Sequence, residues 1–154
     1  MVACPVRGVE ISGASRGAFL KQTGDTMPLV KSYKELTVWQ KAMDVAMEVF
    51  ELSKRFPSDE RYSLTDQFRR ATRSVATNIA EGWRKRRYVA SFRSKLNDSE
   101  GEAAESQTLT EVARRCGYLD DATAARLDGE CEEVMALLAS MIRDAEKWCQ
   151  GFSR

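Results

Sequence analysis

Seven basic side chains, Arg69, Arg70, Arg73, Arg84, Lys85, Arg86 and Arg87, fall within residues 69–87 of this 154-residue chain. Six of them are guanidinium groups, whose planar fork of donors matches phosphate oxygens. The chemistry such a set can do is phosphate engagement, each contact releasing counterions from a nucleic acid without reading its bases. Arg69 and Arg73 are four apart and share a helix face, with Arg70 about 100° round from Arg69. The competing reading pairs these three with acids of the third or fourth helix, within or between subunits. The run Arg84–Arg87 is flanked by Trp83 and Tyr88. Aromatic rings beside arginines can stack on bases; alternatively, a Trp near a helix end packs against a neighbour.

Just before this run stand Asn78, Glu81 and Gly82. Asn78 and Glu81 are three apart, so they point roughly the same way. A buried Asn can set the register between helices. Glu81 can neutralise Arg84 or Arg73, and Gly82 can end the helix or admit another backbone. These three are therefore expected to be architecture that presents the basic run.

Other chemistry is poorly provided for. The chain has no histidine, which removes the commonest general acid–base group and any Cys/His zinc site. It carries no P-loop, no G-x-S-x-G and no dinucleotide-binding fingerprint. Glu102 and Glu105 share a face and could hold a metal, but helical Glu pairs are usually solvated. Cys4, Cys116, Cys131 and Cys149 form no C-x-x-C pair and read as reduced thiols of a cytoplasmic protein. A non-enzymatic protein without cofactor or metal is expected.

The formal net charge of +1 conceals a polarity. Residues 67–96 hold nine basic residues against the single acid Glu81, whereas residues 97–146 hold thirteen acids against four arginines. Such polarity is more informative than the near-neutral average.

Four helices must position these groups. "SYKE" at Ser32–Glu35 has the capping-box pattern, and two apolar stripes follow it. Leu36, Trp39, Met43, Ala46 and Phe50 form one; Val38, Ala42, Val45, Val49, Leu52 and Phe56 form the other. Together they are wider than a coiled-coil seam, so the first helix should touch several neighbours. Pro57 stops it. "SLTD" at Ser63–Asp66 is expected to cap a second helix, marked by Leu64, Phe68, Ala71, Val75 and Ile79 and ending near Gly82. A third runs from about Tyr88 to Cys116, with Gly117 suited to the left-handed position after it. Asp120 or Asp121 caps a fourth that continues to Trp148. No segment shows strand alternation or reaches the length of a membrane span. The short connections imply an all-α, up-down antiparallel four-helix bundle over residues 32–149. Residues 1–31 lack helical period and form a flexible N-terminal tail, with Met27 an alternative start, and residues 150–154 form a short C-terminal tail. The middle of the third helix is poor in large apolar residues. Gly101, Ala103 and Ala104 there suit a tight subunit contact or, equally, a solvated face.

The stretches "YKELTVWQKAMDVAMEVF", "RFPSDERYSLTDQFRRATRSVATNIAEG" and "GEAAESQTLTEVARRCGYL" resemble proteins encoded in intervening sequences of bacterial 23S ribosomal RNA genes. That family is related to the accessory variability protein that partners the reverse transcriptase of diversity-generating retroelements. The resemblance covers about residues 33–148. It implies an up-down bundle that assembles into a homopentameric ring, nucleic acid as a partner and, for the retroelement relatives, a reverse transcriptase. Where many members carry Gly-Ser ahead of the small residues of the third helix, this chain has Gly101-Glu102, an extra carboxylate at the expected interface. The resulting expectation is a self-associating nucleic-acid-binding scaffold. The alternative is a protein–protein scaffold with no nucleic-acid affinity, encoded in an rRNA insert.

Overall fold

The computed structural model describes residues 30–150; residues 1–29 and 151–154, nearly all of both expected tails, lie outside the described residues. Four long helices account for most of the described chain: α1 (Thr37–Ser53), α2 (Leu64–Lys85), α3 (Val89–Arg115) and α4 (Asp121–Arg143), followed by the short α5 (Ala145–Cys149). No strand occurs among the described residues. Each long helix packs on its sequence neighbours, and α4 closes the bundle against α1. At one end Tyr118 meets Phe56 at 5.4 Å and donates to Glu60. At the other, Trp83 meets Trp148 at 6.2 Å and Arg93 pairs with Glu146 at 2.7 Å.

Several helix ends differ in detail from the sequence expectation. Ser32 accepts from the Lys34 amide, and Glu35 accepts from Lys31, so the capping pair closes a 3-10 turn over Tyr33–Glu35. Helix α1 begins two residues later. Ser63 does not cap α2; it donates to Glu60, whose carboxylate accepts the Leu64 amide instead. A carboxylate is the stronger acceptor there and complements the positive helix end. Helix α2 runs through Gly82 to Lys85. Gly117 takes φ +76° and Asp120 accepts from Thr123 at 2.7 Å, both as expected. The fourth helix is interrupted at Asp144 (φ −96°, ψ 22°), where Arg93 donates to the Ile142 carbonyl at 3.3 Å. The break re-aims the chain so that Ala145 and Cys149 are buried.

The core lies in two clusters. Ile79, Trp83, Phe92, Leu96 and Leu138 fill one end, and Val49, Phe68, Leu109, Leu127 and Cys131 fill the other. Between them Thr72, Ser99, Ala103 and Ser106 form a waist in which each is at most 1 % exposed. Their hydroxyls are satisfied by backbone carbonyls: Ser99 donates across to Val75 at 2.8 Å, Thr72 to Phe68 at 3.0 Å and Ser106 to Glu102 at 2.8 Å. Pairing of this kind removes the penalty of burying a hydroxyl. One face of the weakly apolar middle of α3, Ser99, Ala103 and Ser106, is therefore interior.

This corrects one assignment. Ala103 belongs to the core of its own bundle and is closed to a neighbouring subunit. Gly101 and Ala104 do face outward. A Cβ at Gly101 would meet nothing within 4 Å. Gly101→Ala should accordingly stabilise the chain by about 0.5–1 kcal/mol, through helix propensity and reduced unfolded-state entropy. Thermal melts should show a higher midpoint with assembly unchanged; loss of assembly would place Gly101 in a subunit contact.

Candidate nucleic-acid interface

The last turn of α2 and the corner before α3 gather the basic run. Because α2 does not stop at Gly82, Trp83 turns inward. It is 5 % exposed, packed edge-on against Trp148. The Arg86 guanidinium lies 3.7 Å from the Trp83 ring and donates to the Trp83 carbonyl at 2.6 Å. Burial, and after it repulsion from Arg84, draws the Arg86 pKa down. Trp83 is thus withdrawn from base stacking in this fold, and Arg86 acts as its cover. What remains open is a set of four. Arg84 and Arg87 are exposed and take part in no ion pair among the described residues. Lys85 stands 3.8 Å from Glu81, and the Tyr88 ring is 65 % exposed.

The Asn78–Glu81–Gly82 group is architectural, with different partners from those expected. Lys95 of α3 sits among Asn78 (3.4 Å), Glu81 (3.2 Å) and Asp98 (3.1 Å). Hydrogen bonding to Asp98, then to Glu81, raises the Lys95 pKa. Glu81 therefore ties α2 to α3 and pairs with neither Arg84 nor Arg73. Gly82 is buried inside the helix. A Cβ there would come within 3.3 Å of the Lys95 Cβ and 3.5 Å of Leu96, so the missing side chain is what lets α3 approach. The role of Lys95 escaped the sequence reading; its spacing of three from Asp98 was the available signal.

The three arginines of the α2 flank separate. Arg69 is half-buried, its Nε donating to the Ser53 hydroxyl at 2.7 Å and its guanidinium 4.9 Å from the Phe50 ring. Arg70 faces Asp66 of its own helix at 3.8 Å. Arg73 is exposed and unpaired among the described residues. Among the described residues none of the three forms an ion pair with an acid of α3 or α4, the competing reading, although Arg70 lies near enough to Glu102 of α3 to oppose the rise in its pKa. Of the α4 acids, Glu133 holds Lys41 of α1 at 2.5 Å and Asp121 pairs with Arg114 of α3 at 3.1 Å, while Arg126 of α4 pairs with Glu48 of α1.

Arg73 borders an apolar groove of about 540 Å³ between α1 and α2, lined by Tyr33, Trp39, Met43, Met47, Phe50 and Ala80 among others. Met47 is 51 % exposed. This groove is the outer of the two α1 stripes; the inner stripe is core.

Among the described residues no group of three or more Cys, Asp or Glu could hold a metal ion. Glu102 is held above the usual carboxylate range by burial and then by Glu105. Burial pushes the Cys131 thiol up to about 12, as befits a core residue. No helix among the described residues is long and apolar enough to cross a membrane.

The family whose description is "23S rRNA-intervening sequence protein" matches residues 34–140, from the 3-10 turn nearly to the end of α4. The chain belongs to this family. A crystal structure of a protein of unknown function from the S23 ribosomal protein family of Bacteroides thetaiotaomicron is similar at 25 % identity and a TM-score of 0.63. The match covers 69 % of this chain and 95 % of that one. No curated protein matches the chain. The basic corner, the Lys95 clamp and every groove residue but Tyr33 fall within the matched residues.

Proposed function

We propose that this 23S rRNA-intervening sequence protein is a non-enzymatic, self-associating scaffold that presents its α2–α3 corners to nucleic-acid phosphates. The observation that carries this reading is the pair of exposed, unpaired guanidiniums Arg84 and Arg87, with Lys85 between them and Tyr88 beside them. A phosphate backbone supplies the regularly spaced charge that such a corner lacks. Base information has little to act on here, since Tyr88, the exposed ring beside this corner, can stack on any base of a single strand.

Self-association is supported by the groove along α1 and α2. Exposed apolar surface of this kind marks interaction sites, and the occupant we favour is a second copy of the chain. Arg73 at the groove edge complements the acid-rich α3–α4 side of such a copy. A head-to-tail contact between unlike faces forms a ring when its rotation closes, and the resemblance described above makes five the expected number. In a retroelement setting the same assembly would accompany a reverse transcriptase. The second reading, a scaffold for proteins alone, is favoured by the groove's size and apolar lining.

Two measurements test these readings. The intact protein should bind a structured RNA and an unrelated DNA with similar affinity that falls steeply with salt; no binding at low salt would favour the protein scaffold. For assembly, Met47→Glu should shift the species seen by light scattering from a ring to the monomer. Its helix content should be unchanged, because the Met47 side chain is not part of the core. A wild-type monomer at micromolar concentration would overturn the ring.

A further inference from the structure

A second polar cavity lies at the opposite end of α2, where the α1–α2 connection folds over the first turn of α2. Its volume is about 380 Å³, within the range of small-ligand sites of roughly 300–1,000 Å³. Lys54, Arg61 and Arg69 line it together with the hydroxyl residues Ser53, Ser58 and Thr65, and no carboxylate does. That is a strong bias in a chain with 23 acids and 24 bases.

Asp59, beside Ser58 in sequence, is exposed and outside the lining, and three further nearby acids are engaged elsewhere. Glu51 holds the Lys54 ammonium at 2.7 Å, Glu60 serves Ser63, the Leu64 amide and Tyr118, and Asp66 faces Arg70. The cations are placed unequally. Ser53 is 3 % exposed, donates to the Phe50 carbonyl at 3.2 Å and accepts from Arg69 Nε at 2.7 Å. With the Phe50 ring beneath it, the Arg69 guanidinium is held in one orientation, and its terminal nitrogens have no acceptor among the described residues. Arg61 makes no side-chain hydrogen bond or ion pair among the described residues.

We propose that this cavity binds a phosphomonoester dianion, clamped between Arg61 and the pre-oriented Arg69 with the hydroxyls of Ser58 and Thr65 beside them. Two guanidiniums without a carboxylate partner among the described residues match a charge near −2, which a terminal phosphate carries at neutral pH and a phosphodiester does not. The ligand is either a free phosphomonoester or the phosphorylated end of a nucleic-acid strand. Helix α2, with 22 residues, spans about 33 Å, so this cavity and the α2–α3 corner are separate, and the proposal does not depend on the function proposed for that corner.

Calorimetric titration of the intact protein with inorganic phosphate, at constant ionic strength, tests the clamp. Saturable binding is expected, strengthening as pH rises and the monoanion gives way to the dianion. Arg61→Gln, a change at an exposed side chain, should weaken it at least about tenfold, a charge-assisted bidentate contact being lost. Glutamine at Arg84, Lys85 and Arg87 should leave phosphate binding intact. The Arg69 Nε–H resonance should shift on adding phosphate, which reports the site even if Arg61→Gln alters folding. One oligonucleotide with a 5′-phosphate or a 5′-hydroxyl then separates the sources. A preference for the phosphorylated strand that vanishes in Arg61→Gln identifies strand ends, and equal binding identifies the free monoester. Absence of phosphate binding by the intact protein, or undiminished binding by folded Arg61→Gln, would overturn the proposal.

Discussion

Replacing Arg84, Lys85 and Arg87 together with glutamine is expected to lower nucleic-acid affinity roughly 100- to 500-fold at about 0.1 M salt, alike for RNA and DNA of any sequence. The magnitude follows from counterion release. Each phosphate contact adds about 0.7 (single strand) to 0.9 (duplex) to the slope of log K against log salt, so three lost contacts flatten it by about 2 to 2.7. The variant should fold normally, because Arg84 and Arg87 make no ion pair among the described residues and Lys85 has only a distant exposed partner, a pair of little worth. Arg86 is left in place deliberately. Its guanidinium covers Trp83 and caps the Trp83 carbonyl, so its removal would mix a packing loss with the loss of charge. In a ring the loss recurs at every subunit, and the effect on a long nucleic acid should exceed the single-subunit figure. An affinity and salt slope equal to wild type would remove the corner from the interface.

The second large effect is on the fold. Phe92→Ala should destabilise the chain by about 3–5 kcal/mol, the loss from deleting a fully buried ring. Phe92 is 0 % exposed and stands in the first turn of α3, beside the contact between Gly82 and Leu96. It is packed in the same cluster as Ile79, Trp83 and Leu96. Against a total stability of about 5–15 kcal/mol for an ordinary domain, such a loss is a large share. Urea denaturation should show the midpoint falling, with tryptophan emission reporting the Trp83 end of the bundle. A loss below about 1 kcal/mol would mean that this end repacks around the missing ring or contributes little to cooperative unfolding.

The same residues show why the site was harder to read than the helices. Trp83 and Arg86 sit within four positions of Arg84 and Arg87, and nothing in their local pattern separates those that face solvent from those that pack. The separation depends on α2 continuing past Gly82 and on Trp148, sixty-five positions away, arriving after the break at Asp144. Arg69 likewise reads as one of a basic trio until the Ser53 hydroxyl and the Phe50 ring of α1 take hold of it. The waist between α2 and α3 is the clearest case. Ser99, Ser106 and Thr72 look like solvated residues, yet each is buried because a backbone carbonyl lies within reach.

The amino-acid sequence by itself determined the all-α class, the four helical segments, the Asp120 cap, the left-handed Gly117 and the segregation of basic from acidic stretches. Each of these rests on interactions within about four residues, or on composition, and so is written locally. Only the tertiary structure decided which cations are free, which aromatic ring is exposed and where the small residues of α3 point. Those outcomes are set by partners remote in the chain: Arg69 and Ser53 are 16 positions apart, Arg93 and Glu146 are 53, and Lys41 and Glu133 are 92. Exposure and ion pairing are properties of opposed helix faces, and the faces oppose one another only once the bundle has closed.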